Sequence, residues 1–287
     1  MRKAQKNRND DASCGLFIRS SAGIPVGWGK ELAEVLMSVK SRKSLHIYGP
    51  GGTGKSALLE WLCDNWQATG NELIPIYCRS SRTLRQILLY IAVFLLEHFR
   101  HLESVNKFRE VKEIGRASDV KKLSIRALRN IVYAYIPQDN FCVMLDHLEY
   151  VTPKINGFLT VLYENALVIT ASRQSWELTD YGFKGNLAYC LYLTPKLKLS
   201  NLPKEDAYLL MEHLWWRFHM DLPDKTRLFR EIFLVASGNP KLIVEIMSRA
   251  GREKYWRSGE CNFGLIHLDM MIENPLEPRR TRATRTI

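Results

Sequence analysis

The sequence predicts a three-layer α/β domain built on a parallel sheet, followed by a small helical domain. Three observations carry this. Short apolar runs alternate with helix-patterned segments from Leu45 to Leu193, the pattern of strand–helix–strand crossovers. The run Phe141-Cys142-Val143-Met144-Leu145 is apolar at every position, as a strand covered on both faces must be. From about Lys204 onward the periodic segments are all helical.

Residues 1–20 are polar and basic and read as a flexible N-terminal tail. A helix is expected from Glu31 to Val39, with Leu32, Val35 and Leu36 on one face. Leu45–Tyr48 reads as the first strand, and the helix from Lys55 to about Ala68 is expected to stop near Gly70. Leu73–Cys78 is the second strand; Pro75, which lacks an N–H, points to a sheet edge or a bulge. A long helix follows from about Thr83 to His98. Its apolar run, Ile87 to Leu96, is half of the ~20 residues that a membrane span needs and reads as buried.

Residues 100–120 are charged and weakly patterned, and Val120–Tyr135 has helical spacing. Beyond the Phe141 strand, Ala166–Thr170 reads as another strand and Leu187–Leu193 as a fifth. Lys204–Phe218, Lys225–Ala236 and Pro240–Ala250 are the expected helices of the second domain, the last opening on a proline in its first turn. The expected limits are 21–200 for the α/β domain and 201–272 for the helical one, with 273–287 a basic disordered tail.

The 287 residues suffice for a core domain plus a smaller one, and 46% hydrophobic with 25% charged residues is ordinary for a chain with a packed interior. A net charge of +11 suits an acidic partner such as nucleic acid, although a basic solvated surface gives the same total. The contributing stripes are Arg79, Arg82 and Arg85, then Lys121, Lys122, Arg126 and Arg129, and four arginines of the tail. The aromatic cluster Trp215-Trp216-Arg217-Phe218 reads as helical-domain core. Six cysteines are scattered without a C-x-x-C pair, which favours free thiols over disulfides or a zinc site. With no apolar signal core after Met1–Arg8, a cytoplasmic protein that does not enter a membrane is expected.

The first strand leads into Gly49-Pro50-Gly51-Gly52-Thr53-Gly54-Lys55-Ser56 and then Ala57. This matches G-x-x-x-x-G-K-[ST] in the strand–loop–helix setting that the pattern requires. Glycines let backbone N–H groups wrap a phosphate without side chains in the way, and the helix N-terminus adds its partial positive charge. Lys55 is the candidate for the β- and γ-phosphates and Ser56 for Mg²⁺. The fold class is therefore an α/β P-loop NTPase domain with a helical lid, and the ligand a nucleoside triphosphate. No guanine-selective N-K-x-D is found, which favours ATP.

Asp146 ends the apolar third strand, where ligands collect in open α/β sheets, and is the second candidate for Mg²⁺. His147 or Glu149 is the candidate for orienting water. Val168-Ile169-Thr170-Ala171-Ser172-Arg173 brings an arginine to a strand tip, a candidate for the γ-phosphate.

Taken with these, Val26-Gly27-Trp28-Gly29-Lys30-Glu31-Leu32, Thr170-Ala171-Ser172-Arg173 and Gly238-Asn239-Pro240-Lys241 resemble, in order, the segments of AAA+ and STAND ATPases, origin-recognition-like modules included. The resemblance runs from about residue 24 to 250. It implies Val26 and Pro240 beside the adenine, Arg173 as a sensor of the γ-phosphate and Lys241 near the phosphates. It also implies an ATP- and Mg²⁺-dependent switch or motor component, with self-assembly, a protein effector or DNA as partner. The sequence departs from the family pattern at Trp28, His147 and Lys241. Because His147 stands where an acid is usual, hydrolysis is expected to be slow or partner-stimulated. The alternative is a DNA-associated ATP-binding helper with little hydrolysis of its own. No acceptor-substrate motif of a small-molecule kinase is present.

Overall fold

Five parallel strands in the order β2-β3-β4-β1-β5 form the sheet of the α/β unit. They are β1 (Leu45–Tyr48), β2 (Ile74–Cys78), β3 (Phe141–Leu145), β4 (Leu167–Ser172) and β5 (Lys196–Lys198). The computed structural model describes residues 26–99, 117–177, 189–218, 220, 225–257 and 260–273. Expectations for 1–20, 100–116, Cys14 and the tail beyond Glu273 fall outside the described residues.

β3 and β4 are buried along their whole length, β3 as its continuous apolar run requires and β4 with Thr170 and Ser172 enclosed as well. β2, with Pro75, lies at one edge of the sheet, where a missing N–H costs least. Helices α3 (Leu84–His98), α4 (Ile125–Tyr135) and α5 (Pro153–Asn165) cover one face. There Ile87, Ile91 and Leu95 meet Leu128, Ile131, Phe158 and the strand residues Ile76, Val143 and Val168. Helix α2 (Lys55–Asp64) contacts β2 and β4. Its Cys63 neighbours Cys142, which alternates with Val143 along β3, so α2 covers the opposite face. Helix α1 (Gly29–Lys40) precedes β1 and buries Leu32, Val35 and Val39. Cys63, Cys78, Cys142, Cys190 and Cys261 are free thiols, Cys78 and Cys142 fully buried. No helix among the described residues is long and apolar enough to cross a membrane.

Three boundaries differ from expectation for identifiable reasons. The fifth strand is Lys196–Lys198, not Leu187–Leu193; the described part of that run, Tyr189–Leu193, is a short helix, α6. An apolar run of that length has no period that separates strand from helix, whereas an edge strand needs only one buried side chain, here Leu197. Helix α2 stops at Asp64, because the Asn65 amide bonds back to the Trp61 carbonyl at 2.8 Å and the chain tightens into a 3-10 turn, Trp66–Thr69, before Gly70 at φ +66°. Helix α4 starts at Ile125 rather than Val120, since Ser124 caps it by accepting the Ala127 N–H at 3.1 Å. A separate helical turn, Ala117–Val120, precedes it.

The second unit comprises α7 (Lys204–Arg217), α8 (Lys225–Ala236), α9 (Pro240–Ala250), a two-stranded ribbon of β6 (Trp256–Arg257) and β7 (Glu260–Cys261), and α10 (Phe263–Glu273). Trp215 is buried edge-on to Phe229, whereas Trp216 is exposed, so the aromatic cluster belongs to the core only in part. Gly238, at φ +74°, lets the α8–α9 turn touch the Leu202 backbone: a Cβ there would lie 2.1 Å from the Leu202 oxygen. Asn239 then caps α9 by accepting the Leu242 N–H.

One buried polar group crosses the core of the α/β unit. His46 on β1 is fully buried; its Nδ1 lies 2.7 Å from the Thr170 hydroxyl and its Nε2 2.7 Å from the Gln174 carbonyl. A carbonyl only accepts, so Nε2 carries the proton and Nδ1 accepts from Thr170. Burial lowers the His46 pKa from 6.5 to about 4. The unfolded chain therefore binds this proton first, and stability present above pH 6.5 is lost as pH falls toward 4. Between pH 7 and 4.5 the loss from this group is about 2–3 kcal/mol, since each tenfold difference in proton affinity between the two states is worth about 1.36 kcal/mol. Urea denaturation at the two pH values will show a smaller drop in His46→Leu than in the wild type, whatever the variant's starting stability.

Candidate nucleotide-binding site

β1 delivers the chain into Gly49, and the loop ends where α2 begins at Lys55 and Ser56. Gly49, Gly52 and Gly54 all have positive φ, at +151°, +85° and +95°. Two of these positions are also closed to any side chain. A Cβ on Gly49 would lie 2.0 Å from the Leu199 carbonyl oxygen, and one on Gly54 would lie 1.9 Å from the indole of buried Trp28. The Lys55 ammonium donates to the carbonyls of Gly49 and Pro50, each at 2.7 Å, so the side chain curls beneath its own loop. Burial lowers the Lys55 pKa, the charges of Glu149 and Asp146 act to raise it, and Arg173 acts to lower it. The buried Thr53 hydroxyl donates to the Pro50 carbonyl at 3.0 Å. Pro50 and Gly51 are exposed, and Gly52, Ser56 and Ala57 half-buried, along the rim.

Asp146 continues the register of β3: its N–H donates to the Cys78 carbonyl at 3.0 Å, and the Ser81 N–H donates to its carbonyl at 2.8 Å. The carboxylate is buried and accepts two hydrogen bonds, from the Tyr77 hydroxyl at 3.2 Å and the His147 N–H at 2.7 Å. Burial first, then the Asp146 charge, pushes the Tyr77 pKa well up, so the phenol stays a donor. His147 has φ +56°, in the left-handed region. Its Nε2 lies 3.5 Å from the Ser56 hydroxyl and 3.7 Å from an Asp146 oxygen.

β4 lies between β1 and β3, so its tip separates the glycine loop from Asp146. At that tip the Arg173 N–H donates to Glu149 at 3.0 Å, and the guanidinium stands 4.0 Å from the same carboxylate. The guanidinium also lies over the loop, 3.6 Å from where a Cβ on Gly51 would be. A cleft beside the loop is lined by Gly49, Pro50, Arg173, Gln174 and Lys198.

Lys55, Ser56, Asp146, His147, Glu149 and Arg173 thus converge at one end of the sheet, although three chain segments supply them. Val26 is buried in the same unit, whereas Pro240, buried, and Lys241, exposed, belong to the second unit. Two contributors have no sequence signal of their own. Tyr77 precedes the last residue of β2 and looks like any strand tyrosine. Lys198 ends the strand that the apolar pattern misassigns. Chemically, the set offers a glycine cradle that a side chain would fill, two flanking cations, and a hydroxyl–carboxylate pair. This fits a triphosphate with a hard divalent cation. Among the described residues, no cluster of three or more His, Cys, Asp or Glu forms a separate metal site.

No protein-family model matches the chain, and no curated protein matches it. Solved structures do. Orc1 of Aeropyrum pernix, in complex with DNA, superposes with a TM-score of 0.60 at 15% identity over 86% of this chain and 66% of that one. This chain therefore spans slightly less than two thirds of Orc1. A Walker-type ATPase of Pyrococcus abyssi gives 0.53 at 17% identity, covering 89% and 76% of the two chains. AMPPCP-bound DnaA from Aquifex aeolicus gives 0.51 at 16%, covering 88% and 68%. At these identities the likeness establishes architecture: the chain has the fold of the AAA+ P-loop ATPases.

Proposed function

We propose that this protein binds ATP with Mg²⁺ at Gly49–Ser56 and hydrolyses it, serving as a nucleotide-dependent switch or motor component. The observation that carries the reading is the glycine-rich loop at the head of α2, closed to side chains at Gly49 and Gly54, with Lys55, Ser56, Asp146 and Arg173 converging on it. The AMPPCP-bound neighbour of like fold supports the choice of adenine nucleotide.

In this reading the loop amides and the N-terminus of α2 hold the phosphates, and Lys55 uncurls from the Gly49 and Pro50 carbonyls to meet them. Ser56 and Asp146 hold Mg²⁺, which when bound neutralises charge on the β- and γ-phosphate oxygens. Arg173 anchors its backbone N–H on Glu149 and turns its guanidinium, 4.0 Å from the same carboxylate, to the γ-phosphate. We assign water orientation to Glu149 rather than His147, because the imidazole faces Ser56 and Asp146 while the Glu149 carboxylate borders Arg173. Val26, Pro240 and Lys241 are assigned to the adenine and phosphate periphery on the resemblance alone.

A second reading, a DNA-associated ATP-binding helper, draws on Orc1 being in complex with DNA and on a groove in this chain. Arg126, Arg129 and Lys154, all exposed, rim it around Tyr133 and Phe158. Not every basic residue of the stripes is free for this: Arg85 donates to the Leu123 and Lys121 carbonyls and so ties α3 to the segment before α4.

Four measurements test these readings. Lys55→Ala will weaken binding of a fluorescent ATP analogue about tenfold or more, by loss of a charge-assisted contact of about 1.5–3 kcal/mol. Asp146→Asn and Glu149→Gln will bind the analogue within a few-fold of wild type but slow ATP turnover by about 10²–10⁴; unchanged affinity in Lys55→Ala sinks the nucleotide reading. For the switch role, light scattering will report a change in mass with ATP and Mg²⁺, and a constant mass counts against assembly. For DNA, log affinity will fall linearly with log salt, by about 0.9 per phosphate contacted, and Arg126→Glu with Arg129→Glu will flatten the slope by about two.

A further inference from the structure

His147 occupies a position that the catalytic assignment leaves unused. Its side chain is neither buried in the core nor turned away to solvent: it is 43% exposed and comes within 4 Å of both side chains assigned to the cation. Nε2 is 3.5 Å from Ser56 Oγ and 3.7 Å from Asp146 Oδ2. Two ligands each about 2.1 Å from one ion stand about 3.0 Å apart at a right angle and about 3.4 Å apart at the tetrahedral angle. The observed separations exceed the right-angle value of a six-coordinate ion by about 0.5–0.7 Å, so binding closes the ring toward the ion by that much.

The ring is held there by the backbone. His147 sits at φ +56°, a conformation that few non-glycine residues adopt, and its N–H is anchored on Asp146 Oδ1 at 2.7 Å. The next turn is fixed too, as the Leu148 N–H donates to the Ala171 carbonyl at 3.0 Å. The Tyr77 hydroxyl donates to the same Asp146 oxygen that faces the ring, orienting that carboxylate in turn.

We propose that His147 is a third protein ligand of the nucleotide's divalent cation, making this a mixed nitrogen–oxygen site that prefers a first-row transition metal such as Mn²⁺ over Mg²⁺. The inference rests on the nucleotide reading above, and it follows from ligand chemistry. Mg²⁺ favours oxygen donors and keeps its waters, whereas a neutral imidazole raises affinity along the transition series. A histidine serving only to hydrogen-bond Ser56 would leave metal preference unaltered.

The test uses the full chain with Mn²⁺ alone, and with Mn²⁺ plus AMPPCP, followed by pulsed EPR. The expected result in both samples is nitrogen coupling of an imidazole to Mn²⁺, lost in His147→Asn, which retains a residue tolerant of positive φ. In that variant Mn²⁺ affinity will fall about tenfold or more, while Mg²⁺ affinity changes less than twofold. Absence of nitrogen coupling in the wild type overturns the proposal whether or not the variant folds, as does an equal loss of both metals. The two readings fail separately. AMPPCP that does not bind, with coupling to Mn²⁺ alone retained, overturns the nucleotide reading only; AMPPCP that binds without nitrogen coupling overturns this one only.

Discussion

A parallel sheet covered on both faces leaves polar side chains few places to go. Its interior is mostly apolar, and apart from the linked His46, Thr170 and Ser172 its charge and hydrogen-bonding capacity collect where strands end. β3 carries five buried apolar residues and only then reaches Asp146; β4 carries Leu167 to Ser172 inside and only then reaches Arg173. Because β4 lies between β1 and β3, the glycine loop, Arg173 and Asp146 emerge side by side from segments far apart in the chain. The convergence of the candidate site is a consequence of strand order, which sets β4 between β1 and β3.

Within that frame the cradle depends on missing atoms. Leu199 and Trp28 press against Gly49 and Gly54 so closely that no other residue fits at either glycine. The loop is therefore shaped from behind, by a neighbouring strand end and an indole, before anything binds in front. Lys55 contributes to the same preorganisation by bonding the loop's own carbonyls, and its lowered pKa reflects how little water reaches it.

Much of this is legible in the chain because the physics is local. A loop with positive-φ glycines between a strand and a helix, a wholly apolar strand ending in an aspartate, and a capped helix such as α9 each leave a compact signature. What escapes is non-local. Tyr77 matters through its reach across to Asp146, which follows from the pairing of β2 with β3 and from nothing in its neighbours. β5 escapes because an edge strand buries one residue and so hardly registers as a hydrophobic run, while the more apolar segment before it folds as a helix. The orientation of His147 toward Ser56 is likewise a product of one backbone angle that its sequence context does not announce.

The His46 bridge has a consequence for how sequences on this fold can vary. One imidazole satisfies the Thr170 hydroxyl and the Gln174 carbonyl on either side of the β4 tip, with the Ser172 hydroxyl 3.4 Å from its Nε2. Replacing His46, Thr170 or Ser172 alone strands a buried donor or acceptor, at about 1–3 kcal/mol, and an all-apolar set removes the partners that the Gln174 backbone N–H and C=O and the Trp176 indole N–H have here. In homologues, positions 46, 170 and 172 should therefore stay polar together. Their covariation would record a constraint that lies one layer beneath the candidate site.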